Sequence, residues 1–407
     1  MAILMDRRTW LGSMMGGTAA ALGAACSRAS RAQGVLPGTQ ESRAFSRAED
    51  VPVSGEMPDR LRELDRVMTQ TMVYHAIPLG SLAVSKDGVV AVKRAYGYRE
   101  REGKTPLATD ALFRPASLDK QIARSAVHQM IDEGRTVTAT GETLALGLKV
   151  FASLRQAGVI GPELKDVDPR LYDVTIEDLL EHRSGIEVCY PSVEEVRQFF
   201  GLTRMPNAID YLKWHANRPL KSAPGTVQEY NNTAYAMVRH IIEWLTGDWP
   251  AYVREHIFEP AGSLEVVRSR TKPSDRDPRE VWYDTGATGP SIFPEDNGRL
   301  LPTTDGGAIS QDEGIAVSAE ALVRYLSYWY CASARRLLDD NGNLLTDNGM
   351  HIFFGSSDGV SSAMFQCRWT LCNFAVLFNH REERPDIEPL DYTKAIQEVL
   401  KGVNWFS

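Results

Sequence analysis

The chain has 407 residues, of which 43% are hydrophobic and 24% charged, and its formal net charge is −8. This composition is typical of an ordinary folded, soluble protein, and the length suffices for a large core divided between two lobes. The acidic balance, without any basic run, excludes a protein built to bind the phosphate backbone of nucleic acid.

Residues 1–32 have the features of an export signal. Arg7 and Arg8 precede an uncharged run, residues 11–25, that is rich in Gly, Ala and Met and resembles a twin-arginine signal. The run is shorter than the about 20 apolar residues that a membrane-spanning helix needs. The alternative is a frayed N-terminal helix of a cytoplasmic protein. We expect export, so that the mature protein is periplasmic or secreted.

Two processing sites are compatible with this signal. Ser30 and Ala32 are small and allow cleavage before Gln33. Cys26 follows Gly-Ala-Ala and is a candidate for lipid modification, although the leucine usual three places earlier is missing. Both sites stay open, and the only membrane association we expect is a lipid anchor at Cys26.

The first elements are predicted from residue 33 onward. Residues 33–57 are rich in Ser, Gly, Pro and Glu, which is typical of a flexible linker. Ser81 to Tyr98 contains two apolar runs separated by Asp87-Gly88, which predicts a β-hairpin. Between the linker and the hairpin, a helix is predicted from Pro58, because apolar residues recur there at helical spacing. These residues are Leu61, Leu64, Val67, Met68 and Met72.

The middle of the chain, from Ser117 to about Tyr330, has mostly helical patterns. Thr233 to Thr246 is the clearest example, with apolar residues on one side and Gly247 as a stop. Strand patterns return at residues 363–366 and 374–378, and residues 392–403 predict a last helix.

This order of elements predicts an α+β fold for residues 58–407. One antiparallel sheet with flanking helices is built from both ends of the chain, about 58–112 and 345–407. A mostly helical second lobe covers about 113–344, and we expect a cleft between the two lobes.

Ser117-x-x-Lys120 is the first motif that carries chemistry. If a helix begins here, the two side chains lie on one face with Cβ atoms about 5–6 Å apart, so the hydroxyl and the amine can share a proton. The helix N-terminus favours a developing oxyanion. To act as a base, Lys120 needs its pKa lowered by burial to about 7–8. We expect Asp119 to point away from Lys120 and to cap the first turn.

Ser269-x-x-Lys272 matches the same motif. Pro273 follows at once and moves Lys272 out of helical geometry, so the shared face is lost. We therefore place the nucleophile at Ser117.

Three later segments, Asp173–Ile186, Pro224–Tyr235 and Tyr252–Pro260, follow the Ser117 motif in order. Together these segments resemble the class C β-lactamase-related family, the penicillin-recognising serine hydrolases that include β-lactamases, D-alanyl carboxypeptidases and bacterial esterases. The resemblance extends from about Pro78 to Asn379. It implies a β-lactamase/transpeptidase-like fold and hydrolysis through an acyl-enzyme.

The resemblance also implies roles for single residues. Ser117 matches the acylated nucleophile, Lys120 its activator, and Tyr230 and Asn232 the family's Tyr-x-Asn motif. We expect Tyr230, held deprotonated by Lys120, to take the serine proton and later to activate water. Asn232 would hydrogen-bond the lysine or a substrate amide. Alternatively, Tyr230 and Asn232 are turn residues that cap the helix from Thr233, and both interpretations can hold together.

The third family motif differs in this chain. The family carries Lys or His, then Thr or Ser, then Gly, where this sequence has Phe353-Phe354-Gly355. The cation is missing, and His351, on the same strand face, replaces it only if the register is shifted. The oxyanion would be held by backbone N–H groups of Ser117 and Ser356, which tolerate Phe353. Phe353, Gly355 and Ser356 are thus expected to contact substrate.

We therefore expect a hydrolase of small esters, amides or peptidoglycan-like peptides, with esterase or carboxypeptidase-like activity favoured over true β-lactamase action. The alternative is a weak or inactive binding protein on the same scaffold. None of the five cysteines forms a CxxC pair and the eight histidines include no HExxH, so no metal or cofactor is predicted. Cys367 and Cys372 either pair across a hairpin or remain free buried thiols.

Two further patterns do not predict a catalytic or metal site. Residues 355–359 match the Gly-x-Ser-x-Gly nucleophile elbow, but no suitable acid lies between them and His380. The remaining histidines are expected to be structural, because no metal or triad spacing links them. They are His128, His182, His215, His240 and His256.

Overall fold

A computed structural model describes residues 45–137, 140–164, 167–307, 314–331, 333–336, 349–381 and 392–405. All of these belong to one compact unit. The predicted export signal, Cys26 and the first part of the predicted linker lie outside the described residues.

A six-stranded antiparallel sheet organises the fold. In chain order its strands are β1 Val53–Ser54, β2 Gly80–Lys86, β3 Val89–Tyr96, β12 Met350–Ser357, β13 Val360–Cys367 and β14 Cys372–Phe378. Across the sheet they lie in the order β1-β3-β2-β14-β13-β12. Strand β2 pairs with β14, where Ala83 lies opposite Ala375. The predicted sheet built from both ends of the chain is therefore confirmed.

The predicted hairpin is β2–β3. Asp87 and Gly88 have φ values of 52° and 80°, the left-handed pair that a two-residue turn needs to match the twist of the strands. At the other side of the sheet, Asp358 and Gly359 connect β12 to β13, and Gly359 has a φ of 63°.

One face of the sheet is covered by the two terminal helices, α1 Glu63–Tyr74 and α10 Tyr392–Gly402. Alternate strand residues, such as Leu82 and Val376, join these helices in one buried cluster. The first helix follows a 3-10 turn, Asp59–Leu61, so its α-helical part begins later than the sequence predicts.

The opposite face carries small residues such as Ala83 and Ala375, which belong to the larger buried cluster. Their size allows helix α9, Ala319–Tyr328, to pack directly against β2 and β14. The remaining helices extend from this cluster. They are α2 Asp119–Asp132, α3 Val150–Gln156, α4 Ile176–Leu180, α5 Val193–Phe200, α6 Ala208–Ala216, α7 Asn232–Thr246 and α8 Trp249–Val253.

The middle of the chain also contains short antiparallel pairs, which the sequence patterns do not reveal. The strands are β4 Thr136–Val137 with β5 Glu142–Thr143, β6 Val266–Arg268 with β9 Ile315–Val317, β7 Thr288–Pro290 with β8 Leu300–Pro302, and β10 Trp329–Tyr330 with β11 Arg335–Arg336. Each is only two or three residues long, too short for an alternating pattern to be recognised.

The predicted linker is partly ordered into the fold. Val53 and Ser54 pair with Tyr96 and Ala95 at the edge of the sheet, and Val51 is buried. The prediction of a flexible segment up to residue 57 is therefore wrong for this part, because the open edge of β3 offers backbone partners that composition does not show.

Among the described helices, none combines the length and the apolar character that crossing a membrane requires. Cys367 and Cys372, at the two ends of the β13–β14 connection, are buried free thiols. The structure thus favours the second of the two alternatives for this pair.

Candidate active site

Ser117 lies in a 3-10 turn, Ala116–Leu118, that leads directly into helix α2. Lys120 is in the first turn of that helix, and its Nζ donates a hydrogen bond of 3.1 Å to Ser117 Oγ. The helix start that the Ser-x-x-Lys spacing requires is therefore present, and the two side chains share one face.

The turn before Ser117 is held in a strained conformation. Ala116 has a φ of 49°, a left-handed geometry that costs a residue with a Cβ roughly 1–2 kcal/mol. The adjacent Pro115 carbonyl accepts a hydrogen bond of 2.7 Å from Ser362 Oγ on strand β13. The sheet thus holds the turn that presents the serine.

Gly355 allows strand β12 to approach the turn that carries Ser117. A Cβ at this position would lie 2.4 Å from the Pro115 carbonyl oxygen, 2.3 Å from Ser362 Oγ and 3.0 Å from Ser117 N. Only a glycine lets the edge strand β12 lie directly against the turn of the nucleophile. Gly355 therefore acts through the packing of the backbone, which the sequence alone does not reveal.

Lys120 is almost fully buried, with 8% of its surface exposed. Burial lowers the pKa of its amine to about 8, although the neighbouring Asp119 carboxylate acts in the opposite direction. Its Nζ lies 5.1 Å from the ring centre of Tyr230 and 5.9 Å from that of Tyr235. The amine can therefore exist in its neutral, basic form near neutral pH.

Tyr230 donates a hydrogen bond of 2.8 Å from its hydroxyl to Ser117 Oγ. About a third of the residue, 36%, is exposed, but burial of the hydroxyl end raises the pKa of the phenol to about 12. The free site thus holds Tyr230 protonated. The deprotonated Tyr230 expected from the sequence does not fit this state, because burial raises the pKa of the phenol by more than the hydrogen bond to Ser117 and the Arg239 cation lower it.

His182 supports Tyr230 from behind. Its ring centre lies 4.8 Å from that of Tyr230, and its Nδ1 accepts a 3.0 Å hydrogen bond from the backbone N–H of Asn231. Burial lowers the pKa of His182 to about 4, so the ring is a neutral acceptor. From the sequence His182 is expected to be structural only, and the signal for a place in the site is its position in the segment Asp173–Ile186, which resembles the family.

Asn232 lines the cavity in front of Ser117. Its Nδ2 donates a hydrogen bond of 2.7 Å to the hydroxyl of Tyr190, and not to Lys120 as one expectation had it. The cap of helix α7 is Asn231, whose Oδ1 accepts from Ala234 N at 2.8 Å. The capping role belongs to Asn231, and the side chain of Asn232 is left to face the cavity.

Asp119 does not cap helix α2, contrary to the prediction, since the helix start has no side-chain cap. Its Oδ2 accepts a hydrogen bond of 3.1 Å from the guanidinium of Arg239 in helix α7. Both side chains are nearly buried and both line the cavity. A long-range ion pair therefore replaces the local interaction that the sequence suggests.

The cavity that contains Ser117 has a volume of about 620 Å³. Its wall combines the nucleophile turn, helices α6 and α7, four short segments from the middle of the chain, and the end of strand β12 with the turn that follows it. The side chains that line it include Arg114, Ser117, Lys120, Tyr190, Tyr211, His215, Asn232, Arg239, His240, Ser269, Thr271, Thr304, Ser356, Ser357, Asp358 and Arg381. This volume fits a small molecule or the end of a peptide.

The residues of the third motif are divided between the cavity and the core. Ser356 lines the cavity, as expected. Phe353 does not line it but packs, half-buried, against the larger hydrophobic cluster. His351 lies beside Tyr330, with 3.1 Å between its Nε2 and the tyrosine hydroxyl. Phe353 is therefore not in position to contact substrate, because the pleat turns it toward the core, and His351 does not replace the missing cation.

In the second Ser-x-x-Lys motif, the side chains of Ser269 and Lys272 bind other partners instead of each other. Lys272 Nζ donates to Glu295 at 2.8 Å, and Ser269 Oγ lies between Arg114 Nε at 2.8 Å and Glu280 at 3.0 Å. Within the described ranges, no group of three or more His, Cys, Asp or Glu side chains is arranged to hold a metal ion.

A sequence profile of the family described as β-lactamase matches residues 64–362. The chain belongs to the β-lactamase family. The resemblance stated from the sequence is thereby confirmed, together with the enzyme class, a serine hydrolase. The profile covers the Ser117 turn, the Tyr230 segment and strand β12.

Curated relatives have similar sequences over much of this length. The chain is 28% identical to esterase EstB of Burkholderia gladioli over 290 residues, which are 65% of this chain and 68% of the esterase. It is 26% identical to a D-aminopeptidase of Cereibacter sphaeroides over 280 residues, which are 66% of this chain but only 46% of that protein. The chain thus spans less than half of the aminopeptidase.

Solved structures confirm the predicted β-lactamase/transpeptidase-like fold. The D-amino acid amidase of Ochrobactrum anthropi SV3, complexed with L-phenylalanine amide, superposes with a TM-score of 0.58 at 19% identity, covering 84% of this chain and 99% of that one. The octameric penicillin-binding protein homologue from Pyrococcus abyssi gives a TM-score of 0.56 at 20% identity, covering 84% of this chain and 78% of that one. At this level of identity the similarity concerns the fold alone.

Proposed function

We propose that this serine hydrolase acts through an acyl-enzyme on small esters or amides, with Ser117 as the nucleophile. The observation that carries the proposal is the position of Ser117 Oγ, which lies 3.1 Å from Lys120 Nζ and 2.8 Å from the Tyr230 hydroxyl at a cavity of about 620 Å³. A nucleophile, a base and a proton donor thus meet where a substrate can reach them.

The acylation step follows from the two pKa values. Neutral Lys120 accepts the proton of Ser117 Oγ as the oxygen attacks the substrate carbonyl carbon, because its pKa is about 8 and that of Tyr230 about 12. Backbone N–H groups of Ser117 and Ser356 hold the oxyanion. The Tyr230 phenol then gives its proton to the leaving oxygen or nitrogen, and Lys120 returns a proton to the phenolate.

Hydrolysis of the acyl-enzyme reverses these roles. Water replaces the leaving group and gives its proton to the Tyr230–Lys120 pair as its oxygen attacks the ester carbon. The bond to Ser117 Oγ then breaks and the serine recovers its proton. The cavity side chains of Asn232 and Tyr190, joined by a hydrogen bond of 2.7 Å, lie where they can orient a substrate amide or ester.

Two observations favour esters and amides over β-lactams. The relatives with similar sequences include an esterase and D-aminopeptidases, beside a penicillin-binding protein of Amycolatopsis lactamdurans. The third motif lacks its cation, and neither Phe353 nor His351 supplies one to the cavity. Peptidoglycan-like peptides remain within the proposal, because their scissile bond is also an amide.

The export of the protein is a separate proposal that rests on the paired arginines of residues 1–32. Expression of the full chain in a bacterium with a twin-arginine pathway, followed by cell fractionation, tests it. Changing Arg7 and Arg8 together to Lys should retain the protein in the cytoplasm. Radioactive palmitate incorporated into wild type but not into Cys26→Ala would support a lipid anchor, and equal labelling would refute it.

The test of the catalytic proposal compares residues 33–407 with their Ser117→Ala variant. Both proteins are incubated with a p-nitrophenyl short-chain ester, a D-alanine p-nitroanilide and a chromogenic cephalosporin, and intact mass reports any acyl adduct. Turnover with an adduct that depends on Ser117 supports the proposal. Turnover that survives Ser117→Ala, or no turnover and no adduct with any of the three, contradicts it.

A further inference from the structure

The carboxylate of Asp119 lies between the nucleophile and its base in sequence and faces the same cavity. An acidic side chain beside Lys120 stabilises the ammonium form and so opposes its use as a base. In this chain Asp119 is bound by Arg239, with 3.1 Å between Oδ2 and the guanidinium nitrogen. The exposed fractions of the two side chains are 14% and 11%, so water screens this pair only weakly.

We propose that Arg239 is a positioning residue of the active site, which holds and neutralises Asp119 so that Lys120 is available as the base that activates Ser117. The inference rests on the proposed function, because it gives Lys120 the role of the base. Arg239 does not touch the reacting atoms. It acts through Asp119, from a helix 120 residues further along the chain.

The surroundings of Lys120 support this assignment. The titratable and charged side chains that act on its amine or lie beside it are Asp119, His182, Tyr230, Tyr235 and Arg239, and Arg124 acts on His182. Arg124 is paired with Glu181, burial keeps His182 neutral, and both phenols stay protonated because burial raises their pKa. Burial is the largest cause of the lowered pKa of Lys120, and Asp119 and Arg239 are the two charges that act on it beside burial, in opposite directions.

The expected effects have opposite signs. Removing Arg239 leaves the Asp119 carboxylate uncompensated, so Lys120 keeps its proton to a higher pH and the rise of activity with pH moves upward, by about one pH unit. Removing Asp119 leaves the Arg239 cation, so the rise moves to lower pH. Removing both charges should return it toward the wild-type position, which a merely structural role of Arg239 would not do.

The experiment measures the rate at which Ser117 is phosphonylated by a fluorophosphonate probe between pH 5 and pH 10, by intact mass. Wild type is compared with Arg239→Gln, Asp119→Asn and the double variant, with Arg239→Lys as a control that keeps the charge. We expect an upward shift for Arg239→Gln, a downward shift for Asp119→Asn, and profiles close to wild type for the double variant and Arg239→Lys.

The outcomes separate this inference from the proposed function. If wild-type Ser117 does not react at any pH, the proposed nucleophile is wrong and this inference fails with it. If Ser117 reacts but Arg239→Gln has the wild-type profile, or the double variant keeps the shift of Arg239→Gln, only the role of Arg239 is refuted. Should Arg239→Gln not fold, an unshifted profile for Asp119→Asn refutes it by itself.

Discussion

The hydroxyl of Ser362 on strand β13 donates a hydrogen bond of 2.7 Å to the carbonyl oxygen of Pro115, two residues before the nucleophile. This contact joins the central sheet, built from both ends of the chain, to the first turn of the helical region. Ala116, between Pro115 and Ser117, has a positive φ of 49°. The hydrogen bond therefore holds the strained turn in the geometry that presents Ser117 Oγ.

Replacing Ser362 by Ala should reduce kcat/KM about tenfold, since the turn is no longer held in position. The loss of one buried hydrogen bond should lower the free energy of unfolding by about 1 kcal/mol. Ser361→Ala is the matched control, because its Oγ donates at 2.8 Å to the His380 carbonyl and does not reach the turn. Ester hydrolysis measures the change in kcat/KM, and urea unfolding measures the change in the free energy of unfolding. Equal activity in Ser362→Ala and Ser361→Ala would contradict the role of Ser362.

Gly355→Ala should damage activity more severely. The new Cβ would lie 2.3 Å from Ser362 Oγ and 2.4 Å from the Pro115 carbonyl oxygen, so strand β12 must move away from the nucleophile turn. A displacement of about 1 Å at an active site costs on the order of 100-fold in rate. Gly147→Ala, where a Cβ would meet no atom within 4 Å, should retain wild-type kcat/KM. A fully active Gly355→Ala enzyme would show that this close approach does not matter.

Lys120→Met should remove activity and at the same time stabilise the protein. Burial lowers the pKa of Lys120 to about 8 in the folded protein, against about 10.4 when unfolded, so holding the amine costs up to about 3 kcal/mol at pH 7. The unfolded chain binds more protons between these values. The free energy of unfolding of wild type should thus rise as pH increases from about 8 to about 10.4, and that of the variant should not.

Urea unfolding at pH 7 and pH 10 measures this difference. Lys149→Met serves as the control, since Lys149 forms an exposed pair with Asp173 at 2.8 Å and its loss should change stability by about 0.5 kcal/mol or less. If Lys120→Met is less stable than wild type at pH 7, the buried amine of Lys120 does not destabilise the folded protein.

Tyr230→Phe should lower kcat/KM by about 100-fold or more, because the proton donor to the leaving group is lost. Tyr235→Phe is a neighbouring control: its hydroxyl donates to the Leu180 carbonyl at 2.9 Å, so we expect a loss of stability of about 1 kcal/mol with a smaller effect on rate. A substrate with a very good leaving group should partly restore the Tyr230→Phe rate. An equal deficit with good and poor leaving groups would argue against proton donation by Tyr230.

Arg381 should influence the choice between neutral and anionic substrates. It is exposed, lines the same cavity as Ser356, and forms no ion pair with any described residue. Arg381→Gln should reduce kcat/KM about two- to fivefold for a p-nitrophenyl ester that carries a carboxylate, and leave a neutral ester unchanged. The difference should fade at 1 M salt. Arg62→Gln, at an exposed arginine outside the cavity, controls for net charge, and the same loss in both variants would exclude a local effect.

The sequence by itself determined the elements whose pattern is local. The hairpin around Asp87-Gly88, the helix from Thr233 and the Ser117–Lys120 pair follow from spacings of two to four residues. The pleat of a strand or the turn of a helix converts such spacings directly into shared faces. The ordered motifs were enough to identify the family and the fold. They were also enough to bring Ser117, Lys120 and Tyr230 together, because a common fold implies common positions.

Only the tertiary structure decided the partners and the protonation states. Asp119 binds Arg239, Asn232 binds Tyr190, and Phe353 turns into the core. Tyr230 keeps its proton because its hydroxyl end is buried, with a pKa of about 12. These outcomes depend on which distant segments pack against each other and how much water they exclude, and no local spacing carries that information.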